Sequence, residues 1–114
     1  MKMKSEDAAA TGSHPFGSAD GFTEEAELLR LLGHPVRLRI LRGLLHSAAC
    51  VKDIWHCMDM PQATVSQHLA VLRAHGVIRG EREGTTVTYR VVHPFVREFV
   101  TWLGKSRSDN SKGA

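Results

Sequence analysis

Pro61-Gln62-Ala63-Thr64-Val65-Ser66-Gln67-His68-Leu69-Ala70-Val71-Leu72-Arg73-Ala74-His75-Gly76 reads as one complete helix with both ends marked. Proline at or beside the first helical position and glycine just past the last bracket about four turns. Val65, Leu69 and Leu72 recur at i, i+4 and i+7, a narrow apolar stripe that must face a core. The other faces carry Gln62, Thr64, Ser66, Gln67 and Arg73 and no acid. A merely solvated face mixes Glu with Lys; amides and hydroxyls suit the donors and acceptors of base edges. The stretch therefore reads as a recognition helix. Gln62, Thr64, Ser66 and Gln67 read or position, and Arg73 holds the phosphate backbone. His68 lies at the edge of the apolar stripe, as well suited to bracing the fold as to meeting a phosphate.

The neighbours support that reading. A shorter amphipathic segment, Val51 to Met58, precedes it through Asp59-Met60-Pro61, and two helices joined so tightly make a helix-turn-helix. After Gly76 the period changes. Val77-Ile78-Arg79-Gly80-Glu81-Arg82-Glu83 runs into Gly84-Thr85, and Thr86-Val87-Thr88-Tyr89-Arg90-Val91 then alternates with period two. Val87, Tyr89 and Val91 share one face. A helix-turn-helix followed at once by a β-hairpin is a winged helix. The expected architecture is mainly α, with five helices and a two- to three-stranded wing sheet.

Three motifs carry a family resemblance: Leu32-Gly33-His34-Pro35-Val36-Arg37-Leu38-Arg39-Ile40-Leu41, Gln62 to Leu69, and Leu72-Arg73-Ala74-His75-Gly76-Val77-Ile78. Together they resemble the ArsR family of bacterial repressors, over about residues 24 to 103 and in the right order. The resemblance implies a homodimer on double-stranded operator DNA. It also implies release when a metal ion, metalloid or reactive sulfur or oxygen species is sensed.

The 114 residues are enough for one domain, and 42% hydrophobic content is ordinary for a globular one. No apolar run approaches the roughly 18–20 residues of a membrane span, and the amino terminus lacks an apolar signal core. Two cysteines seven positions apart are too few for a secreted disulfide framework, so a cytoplasmic protein with no membrane partner is expected. The net charge of +3 is unevenly spread. Residues 1–27 hold two lysines against six acids, whereas residues 28–103 hold ten basic residues against five acids. The folded part is basic, as phosphate binding requires. Residues 1–21 read as a flexible arm, 22–104 as the DNA-binding and dimerisation domain, and 105–114 as a flexible tail.

Thr23, Glu24 and Glu25 mark a first helix, with the hydroxyl as cap and the acids on the positive end of the dipole. Pro35 opens a second helix and Pro94 a last one, which carries Phe95, Val96, Phe99, Val100, Trp102 and Leu103. First and last helices are apolar over more of their circumference than a small core covers, which points to a dimer interface. In the family these two helices form the dimer. Arg82 at the wing tip is placed for the DNA backbone, and Glu83 is not. His34 and His75 sit at helix ends, where capping is the expected role.

Cys50 and Cys57 are the sensor candidates. Cys50 falls at the start of the Val51–Met58 helix, where the dipole favours a thiolate, and Cys57 near its end. If both are helical, seven residues separate them by about 10.5 Å along the axis. A disulfide needs Cα atoms within roughly 4.4–6.8 Å, so direct bridging requires unwinding or a Cys50 outside the helix. By resemblance, Cys50 falls where arsenic- and cadmium-sensing members place the first cysteine of a Cys-x-Cys pair. Lys52 stands at the second position and Trp55 at the usual third thiol, so that arsenic site is absent in its familiar form. The family's other metal site lies on the last helix, and here only His93 precedes it. The expected signal is therefore thiol-directed: reactive sulfur, an oxidant or arsenite at Cys50 and Cys57. A metal-responsive repressor, a ligand-independent winged helix and a protein-interaction module are the alternatives. No nucleophile elbow, phosphate loop or His-Glu-x-x-His is present, so neither an enzyme nor a cofactor is expected.

Overall fold

The computed structural model describes residues 15–113, with side chains to residue 107. Most of the expected arm, residues 1–14, lies outside the described residues. The chain divides into two compact units, residues 1–31 and 32–114.

In the first unit, turns over residues 15–22 lead into α1 (Thr23–Leu32). The Ala26 amide donates to the Phe22 carbonyl at 2.8 Å, so Phe22, not the expected Thr23, occupies the capping position. Glu24 and Glu25 still fall in the first turn, on the positive end of the dipole.

The second unit holds α2 (Pro35–His46), β1 (Ala49–Cys50), α3 (Val51–Met58), α4 (Gln62–Ala74), β2 (Ile78–Glu83), β3 (Thr86–Val91) and α5 (Pro94–Gly113). His34 caps α2: its Nδ1 accepts from the Val36 amide at 3.2 Å, and Pro35 supplies the preset φ of a first helical residue. The three strands form one antiparallel sheet in the order β1-β3-β2. The described residues thus hold five helices and one three-stranded sheet, the element content expected of a winged helix-turn-helix. Its core gathers Leu32, Leu41, Val65, Leu72, Val77 and Val96, all essentially inaccessible to water.

Two further details depart from the sequence expectation. Ala49 and Cys50 form a strand, so Cys50 stands outside α3 as its capping residue. The last helix also continues past the boundary expected at 104, through Gly113. No proline interrupts residues 105–113, and a lone glycine such as Gly104 weakens a helix without breaking it. Gly104 also admits the Arg42 side chain, whose Nε lies 3.5 Å from where a Cβ would stand.

Candidate nucleic-acid interface

The recognition helix α4 is open at one end and closed at the other. Pro61 caps its start with no side-chain hydrogen bond, while the Pro61 carbonyl accepts from the Thr64 and Val65 amides at 3.1 and 3.2 Å. The amides of Gln62 and Ala63 therefore remain available to an anion, on the positive end of the helix dipole. At the far end Gly76, at φ 73°, donates to the Arg73 carbonyl, and Val77 donates to Leu72 at 3.0 Å. These are the two bonds of a Schellman termination, and buried Val77 and Leu72 supply its apolar contact. The turn before α4 depends on Asp59, which takes φ 57° and ψ 48°, a left-handed conformation that a short polar side chain tolerates.

Val65, Leu69 and Leu72 are buried, as their spacing predicts. Gln62, Ser66, Gln67 and Arg73 are exposed, and Thr64 is half-buried. None of these five side chains is engaged with another side chain among the described residues.

His68 belongs to the seam between those faces. Its Nδ1 accepts a hydrogen bond from Arg37 Nε at 3.1 Å, and its ring meets that of His34 edge-on at 4.4 Å. Burial lowers its pKa below the ordinary histidine value, and the neighbouring His34 and Arg37 lower it further. His68 thus acts as an acceptor, joining the start of α2 to the middle of α4. His75, the other helix-end histidine, puts Nδ1 2.9 Å from the Val71 carbonyl, a capping contact.

The wing is a β2–β3 hairpin closed by Gly84 and Thr85, with Gly84 at φ 67°, where a two-residue hairpin turn favours glycine. Arg82 is exposed opposite Val87. Glu81 pairs with Arg90 at 3.5 Å, and Thr88 Oγ1 donates to Glu83 Oε1 at 3.3 Å. Both wing acids are thus occupied within the hairpin, whereas Arg82 has no such partner among the described residues. The sequence reading passed over Gly80. A Cβ there would lie 2.8 Å from Val87 Cγ1 and 2.9 Å from Tyr89 Cε1, so glycine lets both side chains close over the strand.

The two sensor candidates are not equivalent. Cys50 is half-buried, paired in register with Thr88, which is itself paired with Glu81. Paired residues project to the same side of a sheet, so Cys50, Thr88 and Glu81 form one row across it. Cys50 is also the N-cap of α3, with φ −87° and ψ 166°, and makes no side-chain cap bond. Cys57 is exposed near the end of α3. Trp55, at the third thiol position of the resemblance, stacks on His56 at 4.6 Å with its Nε1 buried and unpartnered among the described residues. No cluster of three His, Cys, Asp or Glu able to hold a metal occurs among the described residues. No helix among them is long and apolar enough to cross a membrane.

Comparison with known proteins bears on the family and the fold. Residues 34–79, from the α2 cap to the first residues of the wing, match the family described as bacterial regulatory protein, arsR family. The repressor SmtB of Mycobacterium tuberculosis is 48% identical over 65 residues, covering 57% of this chain and 48% of SmtB. The chain thus spans about half the length of that relative. The transcriptional repressor PagR of Bacillus anthracis is 37% identical over 81 residues, covering 70% of this chain and 81% of PagR. The PagR crystal structure superposes with a TM-score of 0.67, at 36% identity over 72% of this chain and 94% of PagR. The antimony-specific repressor AntR gives a TM-score of 0.74, at 28% identity over 85% of this chain and 87% of AntR. These relatives are transcriptional repressors. On its motifs, its fold and these likenesses together, the chain belongs to the ArsR family of bacterial regulatory proteins.

Proposed function

We propose that the chain is a cytoplasmic, homodimeric transcriptional repressor whose two α4 helices enter successive major grooves of a pseudo-palindromic operator. The observation that carries this reading is the outer face of α4. Gln62, Ser66 and Gln67 are exposed and uncommitted, beside an equally free Arg73 and below the open helix start. Thr64 and Arg82 complete the contact set, and His68 serves it by fixing the helix. The dimer forms through the first and last helices. Leu29 remains exposed on α1, and Phe95, Phe99 and Trp102 stack along α5 with Phe95 and Trp102 exposed. An uncovered aromatic ladder of this kind is characteristic of a protein interface.

The signal we propose is thiol-directed, with Cys50 as the principal target and Cys57 as the second. An adduct on Cys50 would disturb β1 against Thr88 of the wing and the entry to α3 in one event, because the same residue belongs to both. Reactive sulfur, an oxidant or arsenite supplies such an adduct. The test is fluorescence anisotropy on DNA from upstream of the gene, with reduced and with polysulfide-treated protein. Loss of affinity that Cys50→Ser abolishes is the expected result; tight binding after treatment would remove both cysteines from the signal. Among these signals, a metalloid is favoured by the likeness to an antimony-specific repressor. Trivalent antimony replaces polysulfide in the same titration.

A further inference from the structure

We propose that the groove between α2 and α3 is a binding site for a small organic carboxylate with an apolar body. Ile40 and Leu44 from α2 and Ile54 and Met58 from α3 floor a cavity of about 660 Å³. That volume lies within the range of small-molecule sites. Each helix contributes its floor residues at i and i+4, so the two pairs lie side by side along the groove.

The rim is asymmetric. Arg39, Arg42 and His46 recur at i, i+3 and i+7 and line one edge from a single stripe of α2. The opposite edge, from α3, carries Asp53 and Cys57. Neither Arg39 nor Arg42 has a carboxylate partner among the described residues. Arg42 and His46 also line a second cavity of about 430 Å³ between α2 and α5, to which Lys105 contributes a further cation. The groove thus ends at a cationic corner.

This combination selects a chemical class. A hydrocarbon body gains by leaving water for the aliphatic floor, and a carboxylate takes a charge-assisted hydrogen bond from a guanidinium. An inorganic anion leaves the floor empty, and an organic cation meets two arginines. The occupant is an alkyl or aryl carboxylate of medium length. Seated there it presses on α3, which leads through Asp59-Met60-Pro61 into α4. The site is independent of a thiol signal at Cys50 and of whether the protein binds an operator.

Cys57 on the rim makes the site measurable. In the Cys50→Ser protein, alkylation of Cys57 by N-ethylmaleimide is followed by mass spectrometry against increasing octanoate, kept below its micelle concentration. The expected result is saturable protection, with no protection by octylammonium. Replacing Arg39 and Arg42 together by alanine leaves the floor intact. It should raise the half-protecting concentration about tenfold, the loss expected when a charge-assisted hydrogen bond is removed. An octanoate-independent rate, equal protection by octylammonium, or protection unchanged in the double variant would each overturn the proposal.

Discussion

The inner and outer faces of α4 are built from the same 13 residues and answer to different physics. Inside, Val65, Leu69 and Leu72 meet the core with almost no accessible surface, and their worth is set by volume and packing. Outside, Gln62, Ser66 and Gln67 are exposed and make no hydrogen bond to another side chain among the described residues, so folding gains little from their identity. A helix face whose composition folding does not explain is where a binding partner must be sought. His68 sits on the boundary and belongs energetically to the inside, through Arg37 and His34.

Substitutions on the two faces should separate cleanly. Leu72→Ala, at a wholly buried position, is expected to cost about 2–5 kcal/mol of folding stability by chemical denaturation. A loss well under 1 kcal/mol would mean that the core closes over the gap. Gln67→Ala should leave the melting curve unmoved and cost about 1–3 kcal/mol of operator affinity, with little change on random DNA. Equal losses on both DNAs would move Gln67 from readout to positioning. Arg82→Ala, on the exposed wing, should weaken all DNAs alike and lower the salt slope by about one unit; an unchanged slope would take Arg82 off the backbone. The smallest effect concerns the seam. Because the folded state holds the His68 pKa below its unfolded value, the unfolded chain takes up the proton first as pH falls. Stability should therefore be fully present above about pH 6.5 and decline below it, and His68→Gln should flatten that limb. An identical pH profile in the variant would assign the decline to other groups.

Much of this arrangement was legible in the sequence because it is written in local signals. The bounds of α4 follow from Pro61 and Gly76, and its buried stripe follows from a spacing of three and four. The wing followed from alternation over Thr86–Val91. What escaped is nonlocal or too short to show a period. The strand Ala49–Cys50 has two residues, and only pairing with Tyr89 and Thr88, far along the chain, defines it. His68 was placed at an edge, but its partner Arg37 lies 31 residues away and no periodicity links them. Asp59 sits where glycine is the usual choice, so its left-handed backbone carried no compositional mark. In α5, serine and lysine after Gly104 suggested an end that the backbone does not observe.

The order of the three strands bears on how the molecule behaves at high concentration. With β3 in the centre, the two open margins of the sheet are β1 and β2. One is only two residues long; the other, Ile78-Arg79-Gly80-Glu81-Arg82-Glu83, carries four charges and a glycine. Unpaired strand margins invite other chains to add to them, and brevity and alternating charge are the usual defences. The wing can project into solvent without recruiting neighbouring wings into a continuous sheet. Replacing Arg79 and Glu81 with β-branched apolar residues would turn that margin into a template for aggregation.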